Sequence, residues 1–326
     1  MPAGDDYEQL LEQWRESQRR SRARHFAARR HRSRGVLLAG ALVAVALGVT
    51  SHGRRDDSVA SRAGDSAQAQ MTGRSPAEVA ATGRAAIPSP AALRAAWKFA
   101  RRRGGQVSVA VVDTRGRLRG RDADRRYVSA SVVKALLLVA ELRRVERDGR
   151  TLDPATHALL TAMIAHSDNA SADDIYMRVG DSGLLAVAKD AGMRRFGVSG
   201  HWANAQVMAA DLARFFSRAR KLLPRRQRRT GLGLLASIER EQSWGVPRAA
   251  GDRWRVYFKG GWRETGRGEL VHQGAWLRGH GRSLAIAILT DAQPSRVYGI
   301  HTVRGIAERL LSSPGRPARP GQTRSP

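Results

Sequence analysis

The chain has no cysteine in 326 residues. That excludes thiolate zinc sites, thiolate iron–sulfur clusters, disulfide frameworks and cysteine nucleophiles together. It suits a cell-surface protein that folds without oxidative help, although a cytoplasmic protein can lack cysteine too. Lysine is nearly missing as well. Only Lys98, Lys134, Lys189, Lys221 and Lys259 occur among 57 basic residues, and the rest are arginine. Arginine stays protonated in proteins, whereas lysine can be tuned to act as a base. Each lysine that this arginine-biased chain retains therefore draws attention. Acids number only 29, so the formal net charge is +28. Asparagine is confined to Asn169 and Asn204, and no glutamate lies between Glu146 and Glu239. The nine histidines are scattered without ligand spacing, so neither a metal nor a cofactor is expected.

What is present divides the chain into five parts. Residues 1–34 form a cytoplasmic segment with nine arginines between positions 15 and 34. Residues 35–53 lack charge and are mostly Ala, Val, Leu and Gly. Their length is at the short end of a membrane span, and the preceding arginines place the N-terminus in the cytoplasm. A cleaved signal peptide followed by secretion is the rival reading. Residues 54–90 read as a flexible linker and 312–326 as a disordered tail. Residues 91–311 are left as the folded domain, with 40 basic against 20 acidic side chains. Such an excess suits anionic wall polymers or lipid headgroups. With the domain outside the cell, nucleic acid is not an expected partner.

Within that domain the pattern predicts a helix over 91–103, then a hairpin of strands 106–114 and 118–122. Helices follow over 131–146, 154–166, 170–179, 183–191, 209–223 and 231–240. Strands over 254–259, 270–277 and 283–290 precede a last helix over 298–311. Two strands, a block of helices, three strands and a helix predict an α+β fold. Its five-stranded antiparallel sheet carries terminal helices, and an all-helical subdomain is inserted between the second and third strands.

Three motifs can carry chemistry. Ser131 and Lys134 form an S-x-x-K at a helix start, on one face by their spacing. A serine hydroxyl is a poor nucleophile until a neighbour takes its proton, and a desolvated lysine can do so. A capping serine beside a surface lysine would look the same. Ser167-Asp168-Asn169 lies between two helices and could equally be an ordinary turn and cap. Lys259-Gly260-Gly261 ends a strand of large residues, where a cation and two glycines admit a substrate backbone.

The three motifs occur in this order on a helix start, an inter-helix loop and a strand end. With the Tyr127-Val128-Ser129-Ala130 lead-in, they make the domain resemble the class A β-lactamase and penicillin-binding serine hydrolase family. The resemblance implies the β-lactamase/transpeptidase-like fold, and a role for each residue. Ser131 is the acylated nucleophile, and Lys134 its base or proton relay. Ser167 passes a proton to the leaving nitrogen, and Asn169 holds the substrate amide. Asp168 braces the loop. Lys259, Gly260 and Gly261 receive the substrate, with Lys259 on its carboxylate. The oxyanion hole is the N–H of Ser131 and of Trp262. The implied substrate is a β-lactam or a small peptidoglycan-derived amide, bound without cofactor.

The chain departs from that family in three places. Gly260 stands where a hydroxyl residue is usual. The interval from Ser131 to Ser167 is short. The deacylating glutamate, expected within residues 194–211, is missing. His201 and Asn204 could position water there, but neither replaces a carboxylate base, and Trp202 reads as a loop anchor. The first half-reaction therefore looks intact and the second impaired. A D-Ala-type wall peptidase or esterase, or a non-catalytic envelope binding protein, is the alternative on the same fold.

Overall fold

The computed structural model describes residues 87–312 apart from residue 280. The expected cytoplasmic segment, the anchor, most of the linker and nearly all of the tail lie outside the described residues. Among the described residues no helix is long and apolar enough to cross a membrane. No group of three His, Asp or Glu there could hold a metal.

The domain opens with helix α1 (Pro90–Arg101). Ser89 accepts a hydrogen bond from the Ala92 N–H at 3.1 Å, and Pro90 supplies the fixed φ of a first helical residue. Strands β1 (Gln106–Val112) and β2 (Leu118–Arg121) follow as the expected antiparallel hairpin. The chain then forms β3 (Arg126–Val128), a short 3-10 turn (Ala130–Val133) and helix α2 (Lys134–Arg147). Helices α3 (Pro154–Ala165), α4 (Asn169–Asp190), α5 (Ala209–Leu222), α6 (Arg228–Ala236) and α7 (Val246–Ala250) come next, with β4 (Gln206–Met208) between α4 and α5. Long strands β5 (Arg255–Thr265), β6 (Gly268–Gly279) and β7 (Arg282–Gln293) lead to helix α8 (Arg296–Leu311).

The sheet order is β2-β1-β7-β6-β5, and every neighbour is antiparallel. The expected α+β architecture is what the chain adopts. Helices α1 and α8 pack together over one face and α5 over the other. Helix α2 lies in the middle of the core. Its apolar positions Ala135 to Ala140 and Leu142 are all buried, which explains why its sequence shows no polar face over two turns.

Three local expectations are corrected. The 3-10 turn holds Ser131, so α2 starts at Lys134 instead of at the serine. The two short helices read over 170–179 and 183–191 are both present, and they are separated at Gly180, whose φ of 60° only glycine adopts easily. The insertion is not wholly helical, because β3 and β4 pair in a second, two-stranded sheet. Lys259-Gly260-Gly261 does not end its strand, for β5 continues to Thr265 and pairs residue by residue with β6. The glycine pair looks like a terminator in sequence. In this outer strand it marks a close backbone approach.

Candidate active site

Ser131 is held by strained and crowded backbone. The preceding Ala130 has a φ of 44°, a left-handed conformation that costs a non-glycine residue roughly 1–3 kcal/mol. Opposite it runs β5. A Cβ added to Gly261 would lie 2.8 Å from the backbone nitrogens of both Ser131 and Val132. No side chain fits there, so glycine is what lets the strand press against the serine turn. As the outer strand, β5 also leaves alternate N–H groups without a ladder partner. Trp262 follows Gly261 in that strand.

Ser167 is strained in the same way, with a φ of 57°. It sits just before α4, where Asp168 caps the helix by accepting from the Ser171 N–H at 2.6 Å. That cap is the bracing role expected of Asp168. It also starts the helix so that Asn169 faces Lys134. The Lys134 ammonium nitrogen lies 2.6 Å from the Ser167 carbonyl oxygen, 2.7 Å from Asn169 Oδ1 and 3.4 Å from Ser167 Oγ. Lys259 Nζ donates to the same Ser167 Oγ at 3.0 Å and to the Gly260 carbonyl at 3.0 Å. Two lysines from distant parts of the chain thus meet at one serine hydroxyl.

Both lysines are fully buried. Burial lowers the Lys134 pKa to about 7, against the partial support of Asp168 and Asp173. Burial and the charge of Lys134 push Lys259 well below the ordinary lysine value. A neutral Lys134 amine keeps two N–H groups, which matches its two short bonds to Ser167 O and Asn169 Oδ1. Its lone pair is then left over as a proton acceptor.

The stretch 194–211 supplies no carboxylate to this place. It supplies Trp202, whose ring centroid is 4.8 Å from Lys134 Nζ. The indole is buried, and its Nε1 donates to Asp173 Oδ1 at 2.8 Å. Trp202 is therefore the anchor expected from sequence, but an anchor that covers Lys134. His201 turns its Nδ1 to the Ala203 N–H, 3.2 Å away, with Nε2 3.7 Å from Asp173. Asn204 Oδ1 accepts from Arg263 Nη1 at 3.1 Å, and Arg263 Nη2 donates to the Ala203 carbonyl at 3.2 Å. Ser129 reaches the Trp202 carbonyl at 3.3 Å. The loop is clamped from β5, from the serine turn and from α4.

Sequence reading missed Asp173 and Arg263. Asp173 follows Asn169 by four residues, so helical spacing alone puts both on one face. Arg263 gave no signal among 52 arginines. The space beside Gly260 is taken by Trp244, whose ring would lie 3.1 Å from an added Cβ. Trp244 meets Trp262 edge to face at 6.2 Å, and the Arg296 guanidinium stacks on Trp262 at 4.0 Å.

The sheet order and the helical insertion place the domain in the class A β-lactamase fold. A β-lactamase from Sphaerobacter thermophilus superposes with a TM-score of 0.59 at 20% identity, over 68% of this chain and 95% of its own. A class A β-lactamase from Mycobacterium abscessus gives 0.58 at 20% identity, over 68% and 98%. An ancestral class A β-lactamase of Gram-negative bacteria gives 0.56 at 21%, over 66% and 96%. No curated protein sequence matches the chain. Residues 154–313 match the β-lactamase enzyme family model. The matched stretch holds Ser167, Asn169 and Lys259. It begins after Ser131 and Lys134.

Proposed function

We propose that the domain is a β-lactamase-type serine hydrolase that acylates readily on Ser131 and deacylates slowly. The observation that carries this is the meeting of Lys134 and Lys259 at Ser167 Oγ, with a burial-depressed amine beside the nucleophile turn. In the first half-reaction the neutral Lys134 amine accepts the Ser131 hydroxyl proton as Oγ attacks the lactam carbonyl. The tetrahedral oxyanion forms between the N–H groups of Ser131 and Trp262. Donors so placed are worth roughly 3–4 kcal/mol each in the transition state. As the C–N bond breaks, Ser167 gives its proton to the leaving nitrogen and is reprotonated from the lysines it contacts. Asn169 orients the amide, and Lys259 Nζ donates a hydrogen bond to the substrate carboxylate.

The second half-reaction needs a base for water, and such assistance is worth roughly 10²–10⁴ in rate. Trp202 stands over Lys134 with its polar edge turned to Asp173, so its ring offers no base and leaves little room for water. The acyl-enzyme should persist for minutes or longer. We also read residues 35–53 as a membrane anchor that holds the domain outside the cytoplasm.

Intact-mass spectrometry after penicillin treatment tests the chemistry. A single stable adduct, lost in Ser131→Ala, is expected. No adduct on the wild type would overturn acylation. Hydrolysis at rates typical of a good enzyme, on the order of 10²–10³ per second, would overturn the slow second step.

A further inference from the structure

Outside the lysine pair, the stretch between α5 and α6 concentrates cations. Residues 221–229 hold Lys221, Arg225, Arg226, Arg228 and Arg229 and no acid. This segment joins α5 to α6 and faces the C-terminal half of α2. Between them lies a groove of about 420 Å³, lined by Arg143, Arg147, Lys221, Arg225 and Arg228, with Glu146 as its only acid.

The cations divide into two sets. Arg143 and Arg228 build the walls. Arg143 Nε donates to the Leu222 carbonyl at 2.9 Å while its Nη1 pairs with Asp190 at 2.7 Å, and Arg228 Nη2 donates to the Leu223 carbonyl at 3.3 Å. These bonds satisfy the carbonyls at the end of α5, where negative charge would otherwise gather. Arg147, Lys221 and Arg225 are exposed. Arg147 touches Asp148 only at 3.7 Å, and neither Lys221 nor Arg225 has an acidic partner among the described residues. Independently, the nine-residue helix α6 begins here with no side-chain cap from Gln227 and no acid in its first turn. Its N-terminal N–H groups add positive potential to the groove. One oxygen of Glu146 is buried without a hydrogen-bond partner, which leaves the carboxylate to be balanced by the surrounding cations.

We propose that this groove binds a soluble phosphate-bearing polymer, with Arg147, Lys221 and Arg225 neutralising successive phosphates at the mouth of α6. Arginine forks suit phosphate oxygens, and the groove is open enough to admit a polymer. A lipid surface fits less well, since membrane docking draws on exposed apolar side chains. The exposed large apolar residues of the described chain are Leu118, Met177, Leu185 and Val297, and none lines the groove. Arg143 is nine residues along α2 from Lys134, about 13 Å by helical rise. The polymer site is thus separate from the hydrolase chemistry and does not depend on it.

The test uses the full chain in detergent and fluorescein-labelled long-chain inorganic polyphosphate. The triple variant Arg147→Ala, Lys221→Ala, Arg225→Ala should bind about tenfold more weakly, with a shallower salt dependence. A control triple on α1, Arg94→Ala, Lys98→Ala, Arg101→Ala, removes equal charge and should change affinity far less. Glu146→Gln should tighten binding. Equal loss in both triples would reduce the effect to net charge and overturn the site. No wild-type binding to polyphosphate at physiological salt would also overturn it. So would groove-dependent binding to phosphatidylglycerol vesicles alone, which would identify a lipid site. All three substituted side chains are exposed, so melting temperature and penicillin labelling should match wild type and exclude misfolding.

Discussion

At the scale of single residues, the site turns on the protonation of Lys134. Its pKa of about 7 means that the amine is charged below that pH and free above it. Acylation should therefore rise with pH through about 7. Stopped-flow labelling by a fluorescent penicillin should show this ascending limb. Lys134→Arg should lose both the limb and nearly all of the rate, because arginine keeps the charge and accepts no proton. Normal labelling in that variant would remove Lys134 as the base. The same pKa sets a stability trend. Unfolding returns the lysine to its ordinary value near 10.5, so the unfolded chain binds more protons between pH 7 and that value. The contribution of this residue to stability should accordingly rise with pH across the window. Chemical denaturation of wild type and Lys134→Met at pH 7 and pH 9 should show the gap between them shift in that direction.

At the scale of elements, two contacts define the site: β5 against the serine turn, and the 194–211 loop over Lys134. Gly261→Ala should push β5 off the Ser131 and Val132 nitrogens. Overpacking of this kind costs about 1–3 kcal/mol, and labelling should fall by more than the stability loss explains, because the N–H groups for the oxyanion move apart. Melting temperature and labelling rate measured together check this. Truncation of the buried indole, Trp202→Ala, should cost about 3–5 kcal/mol. In the fraction that folds, it should shorten the acyl-enzyme lifetime several-fold by admitting water beside Lys134, as read by loss of the mass adduct with time. An unchanged lifetime would show that Trp202 does not exclude that water. Much of this layout was legible beforehand. The order of strands and helices follows from apolar period, and Ser167-Asp168-Asn169 falls between two helices as its sequence suggests. The gaps have physical reasons. Gly260 and Gly261 read as a strand end because sequence shows the loss of side chains and not the turn that approaches them. Trp202 read as an anchor without a target, because its distance to Lys134 depends on how a 70-residue detour folds back. Strands β3 and β4 have three residues each, too few for a period to show.

At the scale of the whole molecule, the five-part reading of the chain leads to a fractionation experiment. Full-length protein should sediment with membranes, and externally added protease should release the domain. A soluble product starting near residue 70 would instead identify a cleaved signal. The sheet has a consequence for synthesis. Its second strand in space, β1, pairs with β7, so Val112 and Ala285 are partners across most of the domain. Until β7 is made, β1 has only the short β2 beside it, and its other edge is bare. At typical synthesis rates of 5–20 residues per second, those intervening residues take roughly 10–30 s to emerge. During that time the apolar run of β1 is open to whatever strand reaches it first. The domain can close only once β7 has emerged, so the last strand to arrive is the one that locks the sheet.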